Sequence, residues 1–91
     1  MNKTRRKGLA LQADKLENLM AELATIKEEI EGIKEEEEEA YDNLPEGIQD
    51  SERGDIMQEC VDELDEQIST LDDVISYLDD VKVGLQEVID K

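Results

Sequence analysis

Apolar residues recur at alternating steps of three and four in the first half of the chain, and no other feature constrains the fold as strongly. The unbroken part of this stripe consists of Leu16, Leu19, Leu23, Ile26, Ile30 and Ile33. Such a repeat places apolar side chains on one face of an α-helix, as heptad positions a and d do in a coiled coil. We therefore predict a helix over residues 9–42.

A second stripe with the same spacing occupies the last part of the chain. Its members include Val61, Leu64, Ile68, Leu71, Ile75 and Leu78. Apolar residues also fill the neighbouring g positions at Cys60, Val74 and Val81. Three apolar positions per heptad are typical of a helix that contacts more than one neighbour. We predict a second helix over residues 51–90, more central to the core than the first.

The segment between the two predicted helices contains the only proline, in the sequence LPEG at residues 44–47. Proline at the second position and glycine at the fourth suit a type I turn. Asp50 or Ser51 is a candidate N-cap of the second helix. A short connection over 43–50 favours antiparallel neighbours, so the predicted fold class is all-α, a two-helix antiparallel hairpin over residues 9–91.

The composition indicates that one copy lacks material for a stable core. Charged residues make up 41% of the chain and aromatic residues 2%, and the single cysteine cannot form a disulfide within the chain. Small domains usually depend on large apolar side chains or on such staples. We therefore expect a homodimer, with two hairpins forming a four-helix bundle or coiled coil.

Two acid–base pairs bear on how the copies would meet. Residues five apart are too distant to pair within one helix, but they match g to e′ pairs across a parallel coiled coil. The pairs are Glu22 with Lys27 and Glu29 with Lys34. In a helix this rich in glutamate, chance placement explains them equally well.

The net charge of −17 is unevenly distributed. Four of the ten bases lie at Lys3, Arg5, Arg6 and Lys7, so residues 8–91 carry 27 acidic and six basic residues. We predict a basic, disordered tail over residues 1–8, which pairs with the acidic end of the second helix near Asp79, Asp80 and Asp90. The acidic remainder repels nucleic acid and anionic membranes and favours a basic protein as partner.

Five consecutive glutamates, Glu35–Glu39, stand at the predicted end of the first helix and are followed by Asp42. The helix dipole is negative at this end, so these charges are unfavourably placed. A residue set that violates a local rule without structural gain is a candidate for function, although a solvated surface is an equally simple explanation. Tyr41 and Arg53 lie nearby and are residue types common in interfaces.

Carboxylate pairs repeat every seven residues along the second predicted helix, at 65–66, 72–73 and 79–80. Steps of about 10.5 Å would form a row of negative charge that approximates a phosphate backbone. Exposed e and f positions of a bundle helix would also prefer acidic residues. The candidate partner-binding residues are Glu35, Glu36, Glu37, Glu38, Glu39, Tyr41, Asp42, Arg53, Asp65, Glu66, Asp72 and Asp73.

Other classes of function are disfavoured. The chain contains no histidine to pair with a serine or with Cys60, and it lacks a glycine-rich phosphate loop and a calcium-binding loop. We expect no catalytic residues, no cofactor and no specific metal site, and we interpret Cys60 as a core residue, with a disulfide between chains left open. A lone thiol and the lack of a membrane-length apolar run predict a cytoplasmic protein with no membrane partner and no direct contact to nucleic acid.

The segment 35–69, and within it EAYDNLPEGIQDSERG at 39–54, resembles small uncharacterised acidic helical proteins of bacteriophages and prophages of Gram-positive bacteria. The resemblance covers about a third of the chain. It implies a phage or mobile-element origin and a helix–loop–helix pattern. It brings no catalytic motif and assigns no partner.

These observations lead to two functional expectations. The first is a non-enzymatic interaction protein of phage type whose acidic surface binds a basic site on another protein, in its most specific form as a nucleic-acid-mimicking inhibitor of a host factor. The second is a structural coiled-coil oligomer that serves as a scaffold or connector in phage assembly. Binding in the first case depends on Glu35–Glu39, which we call the acidic run, whereas association in the second case does not.

Overall fold

The computed structural model describes all 91 residues and contains three helices and no strands. Helix α1 spans Lys3–Asp42, helix α2 spans Glu46–Gln49 and helix α3 spans Glu52–Ile89. The predicted all-α class is confirmed. The ends of the long helices at 42, 52 and 89 lie within one residue of the predicted positions.

The start of α1 differs from the prediction. Asn2 caps the helix, because its Oδ1 accepts a hydrogen bond from the backbone N–H of Arg5 at 2.9 Å, and its carbonyl oxygen accepts from the N–H of Arg6 at 3.1 Å. Asparagine is among the preferred N-cap residues. The prediction of a disordered tail over residues 1–8 is therefore wrong, since the helix begins at Lys3.

The connection between the long helices is also more ordered than predicted. Pro45 has φ −56° and ψ 145° and precedes the short helix α2. Its carbonyl oxygen accepts from the N–H groups of Ile48 at 2.8 Å and Gln49 at 3.0 Å. A type I turn requires ψ near −30° at this position, so the predicted turn type is wrong and proline instead begins a helical turn.

The contacts of the chain divide it into two units. Unit 1 comprises Met1–Thr25 and Asp72–Lys91, and unit 2 comprises Ile26–Leu71. In unit 1, Ala13 is buried, and Lys82 Nζ lies 3.4 Å from Glu17 Oε2, so that α1 and α3 are joined there.

Unit 2 contains the two best-buried large apolar side chains. Val61 and Ile68 of α3 are 7% and 9% exposed. Lys34 Nζ of α1 lies 2.7 Å from Asp65 Oδ1 of α3. Both an apolar seam and an ion pair therefore join the two long helices within this unit.

Helix α3 buries the stripe that its sequence predicts. Its predicted core residues are all buried or half-buried, namely Val61, Leu64, Ile68, Leu71, Ile75 and Leu78. The flanking residues Cys60, Val74 and Val81 are exposed.

Helix α1 buries only half of its predicted stripe. Leu16, Leu23 and Ile30 are half-buried. The residues that alternate with them, Leu19, Ile26 and Ile33, are 43%, 49% and 57% exposed. We call these three residues the outer stripe.

Other residues take the inward places on α1. They occupy heptad position e, four residues after each position a, and are Ala13, Met20, Lys27 and Lys34. Compared with the prediction, α1 is rotated about its own axis so that position e faces inward in place of position d. This rotation brings Lys34 to Asp65, on the acidic flank of α3. The pairing of Lys34 with Asp65 fits this orientation, because a lysine stem can pack against apolar neighbours while its ammonium group reaches a carboxylate.

Candidate interaction surface

The acidic run forms the last turns of α1, which continues unbroken to Asp42. Successive residues of a helix are about 100° apart, so five consecutive glutamates surround the helix instead of lining one face. Glu35, Glu36 and Glu39 are exposed, whereas Glu37 and Glu38 are half-buried. Within the run, only Glu38 is paired with a base, with Lys34 Nζ at 3.7 Å from its Oε1. The run is therefore a largely uncompensated negative surface.

Lys34 connects this surface to α3. Its hydrogen bond to Asp65, together with the negative charges of Asp65 and Glu38, raises the pKa of Lys34, and partial burial of the ammonium group opposes these effects without cancelling them. Lys34 is thereby held in its charged form. Lys34 pairs with Asp65 and Glu38 of its own chain. It is therefore not free to pair with Glu29 of another copy, as the sequence pattern had suggested.

Gln49 caps the C-terminal end of α1, just after the acidic run, and the sequence interpretation missed this role. Its Nε2 donates to the carbonyl oxygens of Tyr41 at 3.0 Å and Asp42 at 3.3 Å. The last carbonyl groups of a helix have no partner within it, and α1 has no basic residue in its last turn. A long amide side chain just after such a helix end is the signal that could have identified the cap.

Gly54 allows α3 to pack closely against the connection. It is buried, and a Cβ atom added there would overlap the carbonyl oxygen of Gln49 and lie 2.7 Å from its carbonyl carbon. Only glycine fits this approach of one backbone segment to another. Gly54 therefore has a structural role in this packing.

Ser51 marks the beginning of α3. Its carbonyl oxygen accepts from the N–H of Asp55 at 3.0 Å, whereas its hydroxyl donates backwards to the carbonyl oxygen of Ile48. The adjacent Arg53 is exposed and forms no ion pair with a carboxylate of the chain. Its guanidinium group is therefore accessible near the start of α3, after the connection that follows the acidic run.

The carboxylates of α3 differ in their surroundings. Asp65 accepts the hydrogen bond of Lys34, although it is exposed. Glu66, Asp72 and Asp73 are exposed. Glu66 also borders a shallow depression of about 470 Å³, whose other lining residues are Cys60, Glu63, Leu64 and Gln67. Cys60 itself is exposed, so its predicted place in the core of this chain is wrong.

Most of the candidate partner-binding residues lie in one unit. Unit 2 contains the acidic run, Tyr41, Asp42, Arg53, Asp65 and Glu66, whereas Asp72 and Asp73 belong to unit 1. Tyr41 is half-buried and Asp42 exposed. No three carboxylate or thiol side chains converge closely enough to hold a metal ion. The chemistry that unit 2 offers is a dense set of hydrogen-bond acceptors with negative charge.

The basic start of α1 does not pair with the end of α3 as predicted. Lys3, Arg5 and Lys7 are exposed, and Arg6 Nε is buried with no hydrogen-bond partner. Asp90 instead accepts a hydrogen bond from Gln86 Nε2 at 2.9 Å.

The three helices contain no stretch with the length and hydropathy needed to cross a bilayer. Comparison with known proteins gives no match to a family model, to a curated protein or to a solved structure.

Proposed function

We propose that this chain is a non-enzymatic interaction protein whose acidic helical surface binds a basic site on another protein. The observation that carries the proposal is the exposure of the acidic run, in which only Glu38 meets a base. Uncompensated carboxylates create a negative potential that steers a basic partner and selects against acidic ones. The resemblance to phage and prophage proteins favours a host protein in the bacterial cytoplasm as that partner.

The most specific form of the proposal is an inhibitor that imitates nucleic acid. Glu66, Asp73 and Asp80 are exposed on α3 and recur at helical steps of about 10.5 Å. This spacing is wider than that of adjacent phosphates, so the imitation is of charge along a rod and not of atomic positions. A basic groove that normally holds a nucleic acid has the complementary chemistry.

The proposal includes a homodimer of two antiparallel helical hairpins in a four-helix bundle. The ion pairs Glu17–Lys82 and Lys34–Asp65 each join α1 to α3 within a unit, and the short connection at 43–51 favours an antiparallel return. The exposed apolar residues of the outer stripe give each copy a surface that benefits from a cover.

The test replaces Glu35–Glu39 by glutamine and measures binding to a cationic probe peptide of alternating lysine and alanine by titration calorimetry. We expect the affinity to fall by about tenfold or more at low salt, and the affinity of the unsubstituted protein to fall steeply as salt is added. The chain also offers a matched control, in which five exposed glutamates elsewhere become glutamine: Glu22, Glu28, Glu29, Glu59 and Glu63.

The control has the same net charge as the test variant, so it separates position from total charge. A much smaller loss of affinity in the control supports the acidic run as the binding surface. An equal loss in both variants, or full affinity in the test variant, contradicts the proposal. The inhibitor form further requires that the unsubstituted protein displace labelled duplex DNA from a lysine-rich histone.

A second candidate function is a structural coiled-coil oligomer for phage assembly. The outer stripe is the observation that favours it, because exposed apolar residues at heptad spacing promote association. This alternative predicts assemblies larger than a dimer, which form through the apolar stripe regardless of the glutamine substitutions. Light scattering on the same two variants distinguishes it.

A further inference from the structure

The outer stripe of α1 is the apolar feature that contacts within the chain do not absorb. Leu19, Ile26 and Ile33 are 43%, 49% and 57% exposed and are spaced seven residues apart on one continuous helix. Residues at this spacing follow one side of a helix at steps of about 10.5 Å. Single exposed apolar residues need no explanation, but a regular row of large ones marks a contact surface.

The accessible surface of the chain supports a second copy as the cover. The chain exposes 6721 Å², whereas a compact folded monomer of this mass, 10.4 kDa, exposes about 5,400 Å². The excess is about 1,300 Å². An obligate homodimer hides about 1,000–2,500 Å² on each subunit, so one further copy is sufficient to cover the excess.

The charges of α1 indicate how the second copy is oriented. Residues 3–15 contain five bases and one acid, whereas residues 37–49 contain five acids and no base. An antiparallel contact of two α1 helices centred on Ile26 sets residues 10–15 of one copy opposite residues 37–42 of the other, and it carries the basic residues 3–9 just past the acidic end of that helix. A parallel contact would set the acidic run against the acidic run.

We infer that the outer stripe of α1 is the interface between two copies of this chain and that the two α1 helices meet there antiparallel, with the twofold axis near Ile26. This inference rests on the homodimer of the proposed function and specifies its contact face and orientation. In this arrangement Lys15 lies opposite Glu37 in the acidic run of the second copy, the basic residues Lys3–Lys7 extend past the end of that helix, and the carboxylates of α3 stay on the outside of the dimer.

The first test replaces Ile26 and Ile33 by glutamate and measures mass by multi-angle light scattering over a range of concentrations. We expect the dimer to dissociate at least about 100-fold more readily, since two large apolar contacts are lost in each copy. The control replaces Ile56 and Val83 by glutamate. These residues are 52% and 50% exposed and lie at outward heptad positions of α3, so the control adds the same charge and should remain dimeric.

The second test determines orientation without removing the apolar surface. In a Cys60→Ser background, single cysteines replace Leu19, Ile26 or Ile33, and mild oxidation with diamide converts nearby thiol pairs to disulfides. A disulfide requires Cα atoms within about 7 Å. In the antiparallel dimer, two chains of the Ile26→Cys variant form a disulfide with each other. Leu19→Cys and Ile33→Cys form a disulfide only when the two variants are mixed, because residue 19 of one copy then faces residue 33 of the other. The two same-residue pairs would be about 21 Å apart.

Each outcome decides a specific statement. Self-linking of Leu19→Cys and of Ile33→Cys overturns the antiparallel orientation, and a dimer that survives Ile26→Glu with Ile33→Glu overturns the outer stripe as the interface. Both results leave the acidic-surface function and the dimer standing. An unsubstituted protein that is monomeric at every concentration overturns the inference and the proposed dimer, but not binding of the cationic probe. Circular dichroism verifies that each variant remains helical.

Discussion

Helix α3 buries Val61 and Ile68 almost completely, whereas helix α1 leaves Ile26 and Ile33 about half exposed. Both helices carry the same repeat of apolar residues. They differ in what flanks the repeat, because α3 has carboxylates on the flank where α1 has lysines. In unit 2 these flanks meet at the contact between Lys34 and Asp65.

A heptad repeat and its flanking charges determine two separate properties of a helix. The repeat determines which residues share a side of the helix. The flanking charges bias the rotation of that helix against its neighbour, since a lysine can pack its stem and still reach a carboxylate. Helix α1 gains ion pairs by this rotation and is left with an apolar row facing outward.

Truncation of one isoleucine on each long helix should distinguish the buried side of α3 from the outer stripe. Ile68→Ala should lower the free energy of unfolding by about 2 kcal/mol, near the lower limit for isoleucine in a core, because a thin helical layer relaxes around the gap. Ile26→Ala should lower it by less than about 1 kcal/mol in dilute protein, and by more as concentration rises, if the outer stripe is an interface. Urea unfolding at two protein concentrations measures both.

An Ile26→Ala loss equal to that of Ile68→Ala in dilute protein would contradict the comparison. Ile56→Ala serves as the control, since Ile56 is 52% exposed on an outward position of α3. It should change stability little at either concentration.

A second effect compares one glycine from each long helix. Gly54→Ala should destabilise the protein by more than about 1 kcal/mol, because the added methyl group overlaps the backbone of Gln49. Gly32→Ala should stabilise it by about 0.5–1 kcal/mol, since alanine is the better helix former and a Cβ at position 32 meets no atom within 4 Å. Thermal unfolding followed by circular dichroism measures both changes, and a stabilised Gly54→Ala variant would refute the close approach.

The sequence was sufficient to predict the two long helices, apart from the start of α1, and the buried side of α3. The stripe from Val61 to Leu78 faces inward as its periodicity predicts, whereas the apolar flank at Cys60, Val74 and Val81 is exposed. The end of α1 at Asp42 also follows from sequence, because the residue before a proline disfavours helical dihedral angles.

The rotation of α1 could not be predicted in the same way. Leu19, Ile26 and Ile33 fit position d as well as any residues of the chain, and the inward orientation of position e emerges only from the structure, in the burial of Ala13 and in the pairing of Lys34 with Asp65. This contact joins residues 31 apart in sequence, so it depends on how the two helices align. The helix start at Lys3 was missed for another reason, since the charge of the tail was given more weight than the capping ability of Asn2.

The acidic run illustrates the remaining limit. Its position and its unfavourable placement against the helix dipole are legible in sequence. The cap that Gln49 provides and the pairing of Glu38 with Lys34 depend on side-chain geometry across a turn and along a helix. The partner of this surface is not encoded in the chain at all, because exposed charges specify only the sign of what they attract.

The smallest expected effect tests the ion pair that rotates α1. The pKa of Lys34 is raised in the folded chain, so its contribution to stability is fully present below the unfolded lysine value of about 10.4. That contribution is lost as the pH rises through the higher folded pKa. Lys34→Met should therefore lower the melting temperature at pH 8. The difference in melting temperature between this variant and the unsubstituted protein should shrink as the pH is raised towards 12.

Lys15→Met is the control, because Lys15 is exposed and forms no ion pair. The difference in melting temperature between this variant and the unsubstituted protein should stay constant across that pH range. If the Lys34→Met difference were the same at every pH, the lysine would act through its hydrocarbon stem alone, and the rotation of α1 would need a cause other than the charge of α3.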